Sequence, residues 1–278
     1  MMALYDSVCL QLSRVITTRY STSFSMGIRM LDHSIRPHIF AIYGFVRLAD
    51  EIVDTFHDFD KASLLDRFRR ETYRAIDEGI STNPVLHAFQ GTVNQYQIDL
   101  QLIEQFLRSM EMDLYPQNYQ REKFEEYILG SAEVVGLMCL KVFCQGDEAC
   151  YQDLKPGAMR LGAAFQKVNF LRDLKNDKEV LGRIYFPNWT SGGLNAEIKQ
   201  EIEQEIAEDF DAARQAIQRL PSQAKFGVYS AYVYYKALFL KIRSCQPQIL
   251  LQKRIRISNG FKILLLILAK MNIKFNRV

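Results

Sequence analysis

One segment constrains the fold more than any other, because it is apolar around most of a helical circumference. In AIYGFVRLADEIVDTF, residues 41–56, a helix turning about 100° per residue gathers the charged side chains within one arc of roughly 100°. These side chains are Arg47, Asp50, Glu51 and Asp54. A surface helix normally has the reverse pattern, with a narrow apolar stripe. The segment therefore predicts a buried helix with a charged stripe facing an internal polar cavity. The plainer alternative is a partly exposed helix with solvated charges.

The rest of the chain has helical periodicity from end to end, and no alternating run bounded by hairpin turns predicts a strand. We expect helices near 3–16, 37–57, 60–78, 84–94, 99–113, 121–144, 148–178, 195–218, 223–244 and 249–272. No internal repeat or flexible linker divides the sequence. The sequence therefore predicts a single all-α domain over residues 1–278.

Prolines and capping residues help to place the ends of these helices. Pro37 suits a helical first turn, and Asn195 suits an N-cap after the polar loop at 182–195. Five further prolines lie at or near predicted boundaries: Pro84, Pro116, Pro156, Pro221 and Pro247. The loop at 182–195 is then the longest predicted interruption of the helical chain.

Composition narrows the classes of function. The net charge of +3 over 278 residues is too small to indicate nucleic-acid binding, but it suits anionic small molecules or an acidic membrane face. The five cysteines form no CxxC pair and have no nearby histidine, so we expect free thiols in a reducing cytosol. The longest apolar run, Ile263–Ala269, is far below the ~20 residues of a membrane-spanning helix, so no such helix is expected.

A second polar stripe occurs about 120 residues further on, in LGAAFQKVNFLRDLKNDKE, residues 161–179. On a helical wheel, one arc of about 100° gathers two aspartates four residues apart and three amide side chains. These residues are Gln166, Asn169, Asp173, Asn176 and Asp177. Two such stripes on largely apolar helices are difficult to explain as solvated faces, so we expect them to face each other.

Facing carboxylates in this arrangement favour the binding of a polyanion through divalent metal ions. Aspartates at i and i+4 can each supply oxygen to Mg²⁺, which usually takes one or two protein carboxylates together with phosphate oxygens and water. Arg47 and Arg172 lie at or beside the stripes and can bind phosphate oxygens. Four unpaired buried aspartates would raise their own pKa values and destabilise the fold, and bound cations remove that objection.

Six segments distributed over nearly the whole chain form a specific combination: YSTSF (20–24), YGFVRLADEIVD (43–54), YILGSAEVVG (127–136), LGAAFQKVNFLRDLKND (161–177), GRIYFP (182–187) and RIRIS (254–258). In this order they resemble the phytoene/squalene synthase family of head-to-head prenyl synthases, most of all its bacterial phytoene synthases. The resemblance implies an all-α helical bundle of the isoprenoid-synthase type with a deep central cavity, which agrees with the helical prediction.

The resemblance also implies roles for particular residues. Four aspartates would hold Mg²⁺, for which Mn²⁺ can substitute: Asp50, Asp54, Asp173 and Asp177. A second set would bind or flank the prenyl diphosphate: Ser21, Ser23, Phe24, Arg47, Gln166, Asn169, Arg172 and, from the C-terminal helix, Arg254. Three tyrosines would line the reaction cavity: Tyr127, Tyr185 and Tyr234.

The reaction implied by the resemblance joins two identical allylic diphosphates, which in phytoene synthases are geranylgeranyl diphosphates. Departure of one diphosphate leaves an allylic cation that the second molecule's double bond attacks. The cyclopropylcarbinyl (prephytoene) diphosphate ionises again, rearranges and loses a proton to give phytoene, the first step of carotenoid biosynthesis. No reduction occurs, so no nicotinamide is expected. The released diphosphate and a tyrosine are both candidates for the base, and the cavity must exclude water.

Some residues depart from the family's pattern. Glu51 replaces the second aspartate of D-D-x-x-D, and three further changes fall within 127–136: Leu129 for tyrosine, Ser131 for valine and Glu133 for glycine. We expect Leu129 and Glu133 to alter the cavity wall and therefore the accepted chain length. One alternative is thus a squalene or dehydrosqualene type of synthase acting on farnesyl diphosphate. An alternative of another class is a non-catalytic helical assembly protein, which loss of the aspartates would indicate, and all four are present.

The C-terminal segment mixes leucine and isoleucine with four basic residues: Lys262, Lys270, Lys274 and Arg277. Two interpretations stay open. One is a packed final helix with a basic tail, and the other is peripheral docking on an anionic membrane, which suits a long hydrocarbon product. We therefore expect a cytoplasmic protein, with docking on the inner face of the membrane as the alternative. The oligomeric state is not predicted.

Overall fold

The computed structural model describes residues 2–115, 119–187 and 194–274, and most of these residues are helical. The helices are α1 (Met2–Tyr20), α2 (Thr22–Arg29), α3 (Arg36–Asp54), α4 (Lys61–Glu78), α5 (Pro84–Tyr96), α6 (Leu100–Met112), α7 (Arg121–Ile128), α8 (Val134–Cys144), α9 (Glu148–Glu179), α10 (Ala196–Arg219), α11 (Ser222–Arg243), α12 (Pro247–Gln252) and α13 (Asn259–Lys274). A π-helical turn, Leu129–Glu133, joins α7 to α8. The described ranges contain no β-strand, which confirms the all-α prediction.

Helix starts follow local capping chemistry. Asn195 caps α10, because its side chain accepts a hydrogen bond of 2.8 Å from the Ile198 N–H, as predicted. Side chains cap five other helices in the same way: Ser21, Asp60, Asn83, Asp99 and Asp147. Three prolines occupy first turns, where a missing N–H costs nothing: Pro37, Pro84 and Pro247. The predicted boundary at Pro116, residues 188–193 of the loop at 182–195, and Arg277 lie outside the described residues.

Two predicted features of the C-terminal half are wrong. The helix predicted at 249–272 is interrupted, because residues 253–258 between α12 and α13 have no regular structure. Ile255 and Ile257 are both buried there and Arg256 between them is exposed, an alternation that fits an extended backbone. Pro156 lies inside α9 rather than at a boundary. Proline there removes one helical hydrogen bond, but α9 continues because α8 and α10 pack along it.

One helix near the N-terminus was not predicted. The YSTSF segment runs into α2, for which Ser21 is the N-cap and accepts a hydrogen bond of 3.2 Å from the Phe24 N–H. α2 packs against α11, and also against α1 and α3. The serine-rich motif is therefore also a helix start, in a helix that lies beside α11 in the C-terminal part of the chain.

The core is centred on α3, α5, α6, α8 and α9. Phe45 of α3 stacks on Phe89 of α5 with ring centroids 3.9 Å apart, and it also contacts Phe106 of α6. Buried apolar side chains form one continuous cluster from Ile28 to Ala269. Such continuity is what a single domain requires, and the single-domain organisation stays our prediction on that basis.

One described stretch, Arg121–Cys144, is long and apolar enough to cross a membrane by length and composition alone. Just over half of its most apolar part, 56 %, is buried inside the protein. It packs against α6 and α9 through the π-helical turn and α8. Helices buried in a protein core have a similarly apolar composition, and the packing of this stretch against α6 and α9 accounts for its apolar side chains.

Candidate active site

The two acidic stripes lie on α3 and α9 and line the same cavity, which has a volume of about 770 Å³. Burial raises the pKa of Asp177 to about 7, and the negative charges of Asp173 and then of Asp54 add to that rise. Asp54 acts on Asp177 from the opposite stripe, so the two helices bring their carboxylates within electrostatic range of each other. All fifteen residues to which the sequence assigned a role line this cavity.

The cavity is polar at one end and apolar at the other. Its wall on α9 runs from Leu154 to Asp177, a span of 23 residues or about 35 Å at the rise of an α-helix. The acidic stripes form its mouth. The deep end is lined by apolar side chains, among them Leu140, Phe143, Leu154, Ile217 and Leu220. This shape suits a ligand with a charged head and a long apolar tail.

Within each stripe, one aspartate is paired with arginine at short range and the other is not. Asp54 lies 2.6 Å from Arg183, and Asp173 lies 2.6 Å from Arg172 and 2.7 Å from Arg254. The Asp177 side chain has no ion pair within 4 Å in the described part of the chain.

Asp50 has only a distant cation. It is 3.9 Å from Arg47, whose closer partner is Glu51, and Arg47 also covers the ring of Tyr20 at 4.4 Å. Burial and the neighbouring Asp54 raise the pKa of Asp50 to about 7. Asp50 and Asp177 therefore gain the most from an added cation.

A buried network behind the mouth was not predicted from the sequence. Asp113, just after α6, accepts hydrogen bonds from Tyr127 at 2.6 Å and from Tyr185 at 3.2 Å. Arg183 donates to the Asp113 carbonyl oxygen at 2.8 Å while it pairs with Asp54. Burial raises the pKa of Asp113 to about 6, although Arg183 and the Tyr127 hydrogen bond oppose the rise.

This network determines what the two tyrosines offer to the cavity. Each hydroxyl has one proton, and both Tyr127 and Tyr185 donate it to Asp113. The Tyr127 oxygen lone pairs thus stay available to a ligand, whereas the Tyr185 oxygen also accepts from Arg183 at 3.4 Å. The sequence did contain one signal, since Arg183 belongs to the GRIYFP segment, but it lies outside a helix and helical-wheel analysis could not place it. Asp113 directly follows the end of α6, so a helical wheel does not predict the direction of its side chain.

A basic cluster lies on the other side of the mouth. Arg172, Arg254, Arg256 and Lys262 all line the cavity, and Asp173 is the acidic residue that pairs with two of them. The pKa of Lys262 is lowered by burial and then by Arg172 and Arg256. Mutually repelling cations in a cavity wall favour an anionic ligand. Arg254 reaches the site from the extended segment 253–258, not from a C-terminal helix as predicted.

Aromatic side chains connect the N-terminal motif to this site. Phe24 packs against Tyr43 and Tyr235, in both cases with ring centroids 5.7 Å apart. The Tyr235 hydroxyl donates to the Asn169 side chain at 3.1 Å, which holds that amide at the cavity wall. Tyr234 also lines the cavity, with the Lys262 ammonium 5.6 Å from its ring. Tyr235 and Lys262 were not among the predicted residues.

Residues 17–260 match the family of squalene/phytoene synthases. The chain belongs to this family. The match covers most of the helical bundle and includes both acidic stripes, so the family predicted from the six segments is confirmed.

Curated relatives of the family align with most of this chain. The phytoene synthase of Arthrospira platensis is 27 % identical over 259 residues, covering 84 % of this chain and 83 % of the relative. The 4,4'-diapophytoene synthase of Staphylococcus haemolyticus is 29 % identical, covering 68 % and 66 %. Phytoene synthase 1 of Solanum lycopersicum is 26 % identical over 82 % of this chain, and the chain spans 60 % of that relative's length.

Solved structures of squalene/phytoene synthase type have the same fold. A dehydrosqualene synthase crystallised with a ligand superposes with a TM-score of 0.81 at 20 % identity, covering 97 % of this chain and 98 % of that one. The squalene synthase HpnC from Alicyclobacillus acidocaldarius gives a TM-score of 0.75 at 21 % identity, covering 86 % and 95 %. These similarities confirm the isoprenoid-synthase type of helical fold.

The positions at which this member of the family departs from the family's pattern do not all face the cavity. Ser131 lines it, but Leu129 and Glu133 do not, so their expected effect on the cavity wall is wrong. The π-helical turn changes the direction of successive side chains at this point. Glu133 is instead influenced by Asp209, Arg160 and Lys167, which lie between α9 and α10.

The chemistry of the donor set fits a hard divalent cation in this family of enzymes. The acidic residues at the mouth are all aspartates, so they offer carboxylate oxygens. Carboxylate oxygen is the ligand type that Mg²⁺ prefers. No three His, Cys, Asp or Glu side chains in the described ranges are close enough to form a metal site alone. A cation here would therefore share its coordination between protein carboxylates, ligand oxygens and water.

Proposed function

We propose that this protein condenses two geranylgeranyl diphosphates head to head to form phytoene, with release of diphosphate. The observation that carries the proposal is the pair of acidic stripes at the mouth of a deep apolar cavity. The relatives named phytoene synthase support the choice of product. In this arrangement the charged heads of the substrates lie at the mouth and the prenyl chains lie along α9.

Mg²⁺, or Mn²⁺ in its place, would be held by Asp50, Asp54, Asp173 and Asp177 and would withdraw charge from the departing diphosphate. Asp50 and Asp177 lack close cations, so they have the most to gain. Asp54 and Asp173 are paired with arginine and would share their carboxylates with the metal. Arg172 and Arg254, which pair with Asp173, would then bind phosphate oxygens.

The middle of the cavity stabilises positive charge while excluding water. The rings of Phe170 and Tyr185 stack with centroids 4.0 Å apart, and Phe165 stacks on Tyr235 at the same distance. Aromatic faces attract cations, most strongly where water is absent. The hydroxyls of Tyr127 and Tyr185 donate to Asp113, and the Tyr185 oxygen also accepts from Arg183 at 3.4 Å. A tyrosine oxygen that receives the final proton would pass its own hydroxyl proton to the Asp113 carboxylate, and this relay favours a tyrosine as the base.

A product assay tests this proposal. Purified protein receives Mg²⁺ and either geranylgeranyl or farnesyl diphosphate, without nicotinamide, and the hydrocarbons are extracted and identified. We expect a forty-carbon triene core from the geranylgeranyl substrate, and none from Asp177→Asn protein. Absence of any product from the folded wild-type protein would contradict the enzyme proposal and favour the non-catalytic helical protein.

A second function, condensation of farnesyl diphosphate to a thirty-carbon product, is supported by the 4,4'-diapophytoene synthase relative. The same assay separates the two. A thirty-carbon product from farnesyl diphosphate alone would keep the head-to-head reaction and replace the substrate. A need for added nicotinamide would indicate the reductive, squalene-forming variant.

We also propose peripheral contact of the last helix with an anionic membrane. α13 packs on the protein through Leu265 and Ala269 and leaves an apolar face exposed: Phe261, Ile263, Leu264, Ile267, Leu268 and Met271. Lysines flank that face. The protein should sediment with anionic vesicles at low salt and less with neutral vesicles. If the protein sediments with neither kind of vesicle, membrane contact is contradicted and the enzymatic proposal is unaffected.

A further inference from the structure

Two of the five cysteines meet at the turn between α8 and α9. The sulfur atoms of Cys144 and Cys150 are 3.1 Å apart, about 1 Å more than the length of a disulfide bond. Cys245, by contrast, contacts a backbone oxygen, that of Lys241, at 3.3 Å. The proposed function uses neither Cys144 nor Cys150, and neither lines the cavity.

The turn holds these sulfur atoms in place. Gln145 and Gly146 both have left-handed backbone conformations, with φ of 51° and 87°, which reverse the chain within a few residues. The Asp147 N–H donates to the Cys144 carbonyl oxygen at 2.9 Å, and the Asp147 side chain accepts from the Cys150 N–H at 3.0 Å. Each cysteine is therefore tied to the same residue, so the sulfurs can join with only a small shift.

The two cysteines differ in exposure. Cys144 is buried at the end of α8, whereas Cys150 is half-buried in the first turn of α9 and follows five exposed residues, 145–149. Exposure decides which cysteine sulfur an oxidant in solution reaches first. Cys150 is thus the sulfur that meets an oxidant, and Cys144 is positioned to resolve the product.

We propose that Cys144 and Cys150 form a reversible disulfide when the protein meets hydrogen peroxide. The Cys150 sulfur attacks one peroxide oxygen, so the O–O bond breaks, an S–O bond forms and one water leaves. The Cys144 sulfur then attacks the sulfenic acid sulfur. The S–S bond forms, the S–O bond breaks, and the hydroxyl group leaves with the Cys144 proton as a second water. A dithiol reductant restores both thiols.

The disulfide would tie together two walls of the cavity at its deep end. Leu140 and Phe143 of α8 and Leu154 of α9 line the cavity close to the pair. Asp173 is 23 residues beyond Cys150, about 35 Å along α9, so the acidic stripes are remote from the bond. Closing so short a loop restricts the unfolded chain moderately, and we expect the unfolding temperature to rise by about 3–6 °C.

Mass spectrometry of the full-length protein tests the proposal. After treatment with hydrogen peroxide, the native protein is denatured, alkylated without reduction and digested with trypsin. Both cysteines fall in one peptide, Val142–Arg160, because trypsin does not cut between Lys155 and Pro156. We expect that peptide to appear about 2 Da lighter and without alkyl groups. If the oxidised protein is reduced with dithiothreitol before alkylation, the peptide should carry two alkylated cysteines.

Two variants make the result decisive. Cys245→Ser is the control and should keep the mass change and the rise in unfolding temperature. Cys150→Ser should lose both. Recovery of the wild-type peptide with two alkyl groups after peroxide treatment would overturn the proposal, as would linkage of that peptide to a second chain.

Discussion

Helix α9 takes part in two charged clusters, one at the cavity mouth and one against α10, and they differ in how their carboxylates are paired. At the mouth, three aspartates pair with three arginines within 3.5 Å: Asp54, Asp113 and Asp173 with Arg172, Arg183 and Arg254. Asp50 and Asp177 line the same cavity, and neither has a cation that close among the described residues. We call these five aspartates and three arginines the mouth cluster. Two of its carboxylates lack a close cation, so it has capacity for an additional one.

In the second set, the α10 cluster, the two central carboxylates each have two close cations. Lys167 lies 2.8 Å from Asp209 and 3.3 Å from Glu205, Arg160 lies 3.0 Å from Asp209, and Arg121 lies 2.5 Å from Glu205. Glu133 lies nearby. Carboxylates that are paired in this way hold helices together, whereas buried carboxylates without a close cation indicate a ligand. This contrast can be tested, because each cluster offers matched substitutions.

The largest expected difference is between Asp177→Asn and Asp209→Asn. Asp177 has no close cation, so its loss should leave the free energy of unfolding unchanged or higher, while activity falls by about 1000-fold. Asp209 is buried between two cations, so its loss should cost about 3 kcal/mol of stability and leave the activity of the folded protein within about threefold. Denaturant unfolding and the product assay measure both. Similar behaviour of the two variants would remove the distinction between the clusters.

Arg183→Met and Lys167→Met sharpen the comparison for the cations. Each residue is buried and paired with two carboxylates, so both substitutions should cost about 3 kcal/mol of stability. The activity of folded protein should fall only for Arg183→Met, because Asp113 then loses the group that holds it beside Tyr127 and Tyr185. Urea unfolding and product formation below the unfolding transition give the two readouts. Equal activity of the variants would contradict a role for Arg183 in positioning.

Within the mouth cluster, Arg254→Met should separate binding from stability. Arg254 is about half exposed and lies on the extended segment 253–258, so its removal should cost less than about 1 kcal/mol of stability. Loss of one charge-assisted hydrogen bond to diphosphate should raise KM by about tenfold. Steady-state kinetics checks this, with Arg160→Met of the α10 cluster as the matched control. A large loss of stability for Arg254→Met would show that the residue is structural.

The smallest effect is expected for Glu133→Gln in the α10 cluster. Burial, and then the charge of Asp209, raise the pKa of Glu133 to about 6, above the roughly 4.3 of an unfolded glutamate. The folded protein therefore holds the proton more tightly, and stability is lost as pH rises through 6. Glutamine cannot ionise, so the variant should gain about 1 kcal/mol at pH 8, after allowance for partial exposure, and nothing near pH 4. Urea unfolding at the two pH values measures this. A gain at both pH values would point to packing instead of charge.

The sequence predicted the parts of the site that lie within single helices. Asp50 and Asp54, like Asp173 and Asp177, are four residues apart, so a helical wheel was sufficient to place each pair on one face. The wheel could not locate Arg183, which follows α9, or Asp113, which follows α6. Both side chains join elements far apart in the chain, and no local period records such contacts.

Local pattern also failed where backbone and packing compete. The apolar content of 249–272 predicted one helix, but residues 253–258 are not helical, and the burial of Ile255 and Ile257 fits an extended segment. Leu129 and Glu133 were assigned to the cavity wall by position, and the π-helical turn directs them elsewhere. One inserted residue per turn changes the face of every side chain in it, and sequence periodicity does not reveal that insertion.

By itself, the amino-acid sequence determined the all-α class, the helix starts at capping residues and the two carboxylate stripes, because each depends on neighbours within a few residues. Only the tertiary structure decided which charges are neutralised. Arg183 reaches Asp54 and Asp113 across 129 and 70 positions of chain, whereas Asp177 has no such partner in the described residues. Charge balance depends on distances in space, and those distances exist only after the helices have packed.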